Sequence, residues 1–173
     1  MELNINKALE VLEQTPNTIT SLLENLSEDW IFANEEEKTW SPFDIVGHLI
    51  HGEKTDWITR LEITLKNDSS TFKSFDRFAQ FDISKGKTIH QLLSEFKKLR
   101  QQNIAKLKML KLTEKQLTFK GNHPQLGVVT VKELLATWVT HDLGHLAQIN
   151  RVMAKQYKNQ VGPWLAYIPI LKK

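Results

Sequence analysis

The chain predicts an all-α fold, a four-helix bundle with long crossover loops. Three observations carry this expectation. Four segments repeat their apolar residues with a period near 3.6, three of them open on a helix-start signal, and no series of strand-like segments competes. Helices with one apolar stripe bury it against one another, and long connections allow the crossovers. No repeat, low-complexity tract or composition break divides the 173 residues, so 1–173 reads as one domain.

The first segment, 4–26, carries Ile5, Leu9, Leu12, Ile19, Leu22, Leu23 and Leu26 on one face. Pro16 lacks an N–H and crowds the preceding turn, so a kink or restart is expected near Thr15. The second opens at Ser41-Pro42-Phe43-Asp44, with serine as N-cap, proline at the first helical position and an acid in the first turn. It is expected to run to about Lys66. The third opens at Thr88-Ile89-His90-Gln91 and the fourth at Thr130-Val131-Lys132-Glu133, both capping-box patterns. They are expected to reach about Leu110 and Gln156. The connector 67–87 holds Phe72, Phe75, Phe78 and Phe81, which suggests a loop packed onto the bundle. Gly121, His123-Pro124 and Gly127 break the connection 112–129, and the tail from Gly162 is apolar and irregular.

Apolar residues make up 40% and charged residues 25%, the balance of a globular protein. The net charge of +3 is spread without a basic block, so nucleic acid is not an expected partner. No run approaches the roughly 18 apolar residues of a membrane span, and the N-terminus lacks a signal pattern. A soluble, cytoplasmic protein is expected. Cysteine is absent, so any metal must be held by histidine and carboxylates.

The richest stretch is His141-Asp142-Leu143-Gly144-His145 in the fourth segment. Histidines four apart on a helix project from one face, about 40° apart, and can reach one metal ion. Asp142 stands where zinc proteases of the H-E-x-x-H type carry their glutamate base, so that chemistry is not expected. Asp142 falls near the centre of the apolar arc. A buried carboxylate needs a partner, so it should accept a hydrogen bond from another helix or from a ligand imidazole. Gln148, at the edge of the arc, could act similarly. A third ligand should come from His48 or His51, and the helical wheel does not choose: both lie on the more polar side, which favours exposure unless that side lines a cavity. His90 and His123 are weaker candidates. Arg100 and Asn103 read as ordinary polar-face residues, the Trp and Phe rings as core, and Glu53 as a carboxylate turned away from the histidines.

Trp40-Ser41, His48, Glu53 and His141-Asp142-x-x-His145-x-x-Gln148-Ile149 together resemble the DinB-like superfamily of four-helix proteins. Thr15-Pro16 and Val161-Gly162-Pro163-Trp164 extend the resemblance over nearly the whole chain. It implies a three-histidine metal site at His48, His141 and His145, which selects His48 over His51, and a divalent ion, zinc or nickel. It also implies a metal-dependent enzyme: a thiol S-transferase using a low-molecular-weight thiol of the bacillithiol or mycothiol kind with an electrophilic substrate, or a related hydrolase. The alternative is a non-catalytic metal- or ligand-binding bundle. Small bundles of this family often pair, so a homodimer is a further expectation.

Overall fold

A computed structural model describes residues 2–68 and 70–172. The first helix, α1 (Ile5–Leu23), starts at Asn4, whose side chain accepts the Lys7 backbone N–H. The helix does not restart at Thr15: Pro16 lies inside one continuous element. Proline leaves the carbonyl four residues earlier without its usual donor. That carbonyl, of Leu12, accepts instead from Arg100 Nη1 at 2.9 Å, so a side chain of another helix replaces the missing bond.

A short turn of helix, α2 (Glu28–Ile31), leads to α3 (Pro42–Thr55), where Ser41 and Asp44 form the full capping box. The expected single helix to Lys66 is broken at Asp56, and α4 (Trp57–Leu65) follows. Asp56 has φ −110° and ψ −77°. Its N–H still donates to the Gly52 carbonyl at 2.9 Å, and Arg60 N–H donates to its carbonyl at 2.8 Å. The break redirects the chain without opening the ladder there.

In the connector that follows, Phe72 is buried and Phe75 half-buried, but Phe78 and Phe81 stand 62% and 48% exposed. Only half of the expected aromatic packing therefore forms. The helix α5 (Ala79–Ser84) rests on α3 at Gly47, where a side chain would collide with Ser84 Oγ. The long helix α6 (Ile89–Leu110) opens on the Thr88–Gln91 capping box. After α7 (Glu114–Leu117) the chain forms a hairpin absent from the sequence expectation. Strands β1 (Lys120–His123) and β2 (Gly127–Thr130) pair antiparallel, with Gly121 opposite Val129. Gly127 turns with φ +76°, a conformation suited to glycine. Gly121 lies so close to Phe72 and Thr64 that a Cβ would sit 2.8 Å from each. The last long helix, α8 (Val131–Lys155), opens on the Thr130–Glu133 capping box. Among the described residues no helix is long and apolar enough to cross a membrane.

The core of the bundle falls into two clusters. One gathers Ile19, Leu23, Ile45, Leu49, Phe96 and Ile149, the other Leu12, Trp57, Leu61, Ile104, Leu135 and Trp138. Between the two clusters α3, α6 and α8 each bury a charged residue: Glu53, Arg100 and Asp142.

Candidate metal centre

On α8 the buried stripe runs through Leu134, Leu135, Trp138, Asp142, Ile149 and Val152, and His141 and His145 flank it half-buried. On α3 nearly every residue from Pro42 to Gly52 is buried: α5 and α6 pack on the helix, and Trp40, Phe75 and the α8 histidines cover His48 on the side that the wheel reads as polar. His48 is accordingly only 7% exposed. Its Nε2 lies 3.2 Å from His141 Nε2, which lies 3.0 Å from His145 Nε2. One ring nitrogen from each histidine falls within 4.8 Å of the others. His51 is not part of this group: its ring packs on Phe75 with centroids 4.7 Å apart. His90 is exposed at the start of α6.

The three nitrogens suit a cation. Around a tetrahedral ion with bonds of roughly 2.0–2.1 Å, ligand nitrogens lie about 3.3 Å apart. His145 Nδ1 lies 2.9 Å from Gln148 Oε1. An amide oxygen only accepts, so Nδ1 donates and His145 Nε2 presents a bare lone pair to its neighbours. Bare lone pairs at this separation repel unless an electron-poor partner lies among them. A charged imidazolium is disfavoured here, since burial, with smaller contributions from neighbouring positive charge, pushes His48 and His141 down to about 3. Burial also lowers His145, against Gln148 and Asp142. All three are neutral imidazoles at neutral pH, the form that ligates metal. His48 Nδ1 and His141 Nδ1 are buried with no hydrogen-bond partner among the described residues, so the occupant of the Nε2 cluster sets their tautomers. Rings wall the centre: Trp40 against His48 at 4.8 Å, Phe75 edge-on to His48 at 5.4 Å, and Trp57 edge-on to His141 at 5.0 Å.

Behind the centre lies a charge network that the sequence does not announce. Arg100, 1% exposed, spends all five N–H donors on protein acceptors: Glu53 Oε1 from Nε and Nη2, Asp142 Oδ2 and Oδ1 from Nη1 and Nη2, and the Leu12 carbonyl from Nη1. Asn103 Nδ2 donates to the Glu53 carbonyl and to Oε2. Arg100 and Asn103 are thus not polar-face residues, and the Arg100 guanidinium also lies over Phe96 and Trp138. Asp142 finds its partner on another helix, and Glu53 faces Arg100 rather than the histidines, both as expected. Burial pushes the Glu53 carboxyl up, against Arg100 and Asn103. The network ties α1, α3, α6 and α8 together directly beside His141.

The centre opens into a cavity of about 580 Å³ lined by Trp40, His48, His141, His145 and by groups of α4, the 72–77 segment and the hairpin. Asp56, Arg60 and His123 line it too. Asp56 and Arg60 pair with each other, and burial pushes the Asp56 carboxyl up to about 6 despite that partner.

A family model described as the DinB superfamily matches residues 11–149. Among solved structures the chain is similar to YfiT from Bacillus subtilis, with a TM-score of 0.76 at 21% identity over 87% of this chain and 86% of that one. That protein is described as a probable metal-dependent hydrolase with an unusual four-helix bundle topology. It is also similar to TT2238, described as a four-helix bundle protein, with a TM-score of 0.54 at 18% identity over 85% of this chain and 98% of that one. At these identities the likeness is one of fold. No curated protein matches the chain.

Proposed function

The chain belongs to the DinB superfamily, and from that premise we propose a metal-dependent thiol S-transferase whose divalent ion, zinc or nickel, is held by His48, His141 and His145. The observation that carries the reading is the convergence of three neutral imidazole nitrogens, 3.0 and 3.2 Å apart, on the wall of an open cavity. Three protein ligands leave a position free, which separates catalytic from structural sites. When bound, the ion would supply Lewis acidity that lets a thiol lose its proton at neutral pH. The chain has no cysteine, so the thiol is a cosubstrate of low molecular weight, bacillithiol-like. In the overall reaction the thiol sulfur forms a bond to carbon, a carbon–halogen bond breaks and halide leaves, while the thiol proton passes to solvent. Gln148 fixes the ring of His145, the Arg100 network holds α8 against α3, and Trp40, Phe75 and Trp57 pack against the rings of His48 and His141.

Hydrolysis, with water in place of the thiol, is a second reading, favoured by the description of the Bacillus subtilis relative. Zinc- or nickel-loaded protein mixed with bacillithiol and an alkyl halide separates the two. Transferase activity predicts a thioether conjugate and released halide in stoichiometric amounts, both lost in His48→Ala. Cleavage of an activated ester without thiol consumption would instead assign hydrolysis. Neither product from fully loaded protein would leave a non-catalytic binding bundle.

A further inference from the structure

At the hairpin end of the cavity, two donors stand without acceptors. Arg60 on α4 is 9% exposed, lies over the Phe72 ring at 5.3 Å, and pairs through Nε with Asp56. Its two Nη groups donate to no acceptor among the described residues. His123, at the end of β1, accepts the backbone N–H groups of Gln125 and Leu126 at Nδ1, both at 3.2 Å. That fixes its tautomer with the proton on Nε2, a donor with no partner among the described residues. Its ring packs on Phe72 with centroids 6.2 Å apart, so both donors rest on the same phenylalanine. Arg77, exposed on the same cavity wall and close enough to repel a proton from His48, has no ionic partner among the described residues. The Arg60 stem is buried while its Nη edge borders the cavity, where an entering acceptor can take both donors. A planar fork of that kind matches a carboxylate, which accepts two parallel hydrogen bonds.

We propose that Arg60 and His123, with Arg77 at the mouth, form a carboxylate-binding subsite, so that the small molecule taken by this cavity carries an anionic carboxylate remote from its reacting atom. The inference rests on the proposed metal-dependent reaction for the identity of the cavity as a substrate site, but the subsite itself needs no metal. Asp56 does not fill the role of the carboxylate: it approaches the Nε side of Arg60 and leaves the Nη edge to the cavity.

The test is calorimetric titration of chelator-treated protein with succinate, and with succinamide as its uncharged counterpart. Succinate should bind at least about tenfold more tightly than succinamide, the scale of one charge-assisted hydrogen bond. Replacing Arg60 with Gln alone would strand Asp56, so the variant is Asp56→Asn together with Arg60→Gln. It should weaken succinate by about tenfold or more, with succinamide unchanged. Should that variant not fold, Arg77→Gln and His123→Phe replace it, each expected to weaken succinate several-fold and succinamide not at all. Equal binding of succinate and succinamide overturns the proposal, as does succinate affinity retained in the folded variants. Tighter binding of inorganic phosphate than of succinate also overturns it, in favour of a phosphoryl group. Metal content is measured separately on untreated protein, so failure of the metal reading leaves the titration result standing.

Discussion

Arg100 shows how one side chain can organise a bundle. Its guanidinium satisfies two buried carboxylates and a carbonyl that Pro16 deprives of its backbone donor. Removing it strands both acids in the core, and breaking a buried pair in that way costs about 3–5 kcal/mol. Arg100→Met should therefore lose stability of that order in urea unfolding. Arg100→Lys should recover little, since an ammonium offers three donors against five and no planar fork. An Arg100→Met protein within about 1 kcal/mol of wild type would refute the role assigned to the network. In the sequence Arg100 hides among Lys97, Lys98, Gln101 and Gln102, and nothing local marks it. Two distant residues do carry the signal: Asp142, alone in the middle of an apolar arc, demands a cation, and Pro16 leaves Leu12 needing a donor. Asp56, Arg60 and His123 were equally hidden as cavity residues, because their placement depends on the break at Asp56 and on the hairpin.

At the scale of elements, the helix starts were legible because their chemistry is local. Each of Ser41, Thr88 and Thr130 caps its helix through the residue three positions on. The break at Asp56 and the hairpin were not, because tertiary contacts decide them. Gly121 brings β1 against Phe72 and Thr64, and no period in residues 120–130 announces that approach. Two substitutions test these contacts. Gly47→Ala drives a methyl into Ser84 and should separate α5 from α3, lowering stability by about 1–3 kcal/mol as overpacking does. Gly121→Ala should lift the hairpin from α4, and amide exchange of the β1 and β2 N–H groups should then quicken by more than that of α6. Unchanged melting of Gly47→Ala, or unchanged exchange in Gly121→Ala, would mean that these faces are not held as tightly as the contacts indicate.

For the whole molecule, the centre makes acid stability a readout of burial. His48 and His141, held down to about 3 in the fold, take up protons near 6.5 when unfolded. Their contribution is present above 6.5 and is lost as pH falls from there toward 3. Asp56 runs the other way: with its carboxyl up at about 6, it favours the fold at low pH and opposes it as pH rises from about 4 to 6. Two imidazoles against one carboxyl predict that metal-free protein melts at a lower temperature at pH 5 than at pH 7. Bound metal should widen that difference, because protons displace it. A metal-free protein equally stable at both values would show the imidazoles to be solvated. The three-histidine set was readable only in part from periodicity, which paired His141 with His145 but left His48 and His51 equivalent; the packing of Trp40, Phe75 and the α8 histidines on His48, a property of the folded bundle, is what buries it. The most direct measurement is elemental analysis of untagged wild-type protein beside His145→Ala. Roughly one divalent ion per chain in the wild type, and none in the variant, is the expected result for a three-imidazole centre. Wild-type protein that holds no metal after exposure to zinc and to nickel would contradict the centre and the chemistry built on it.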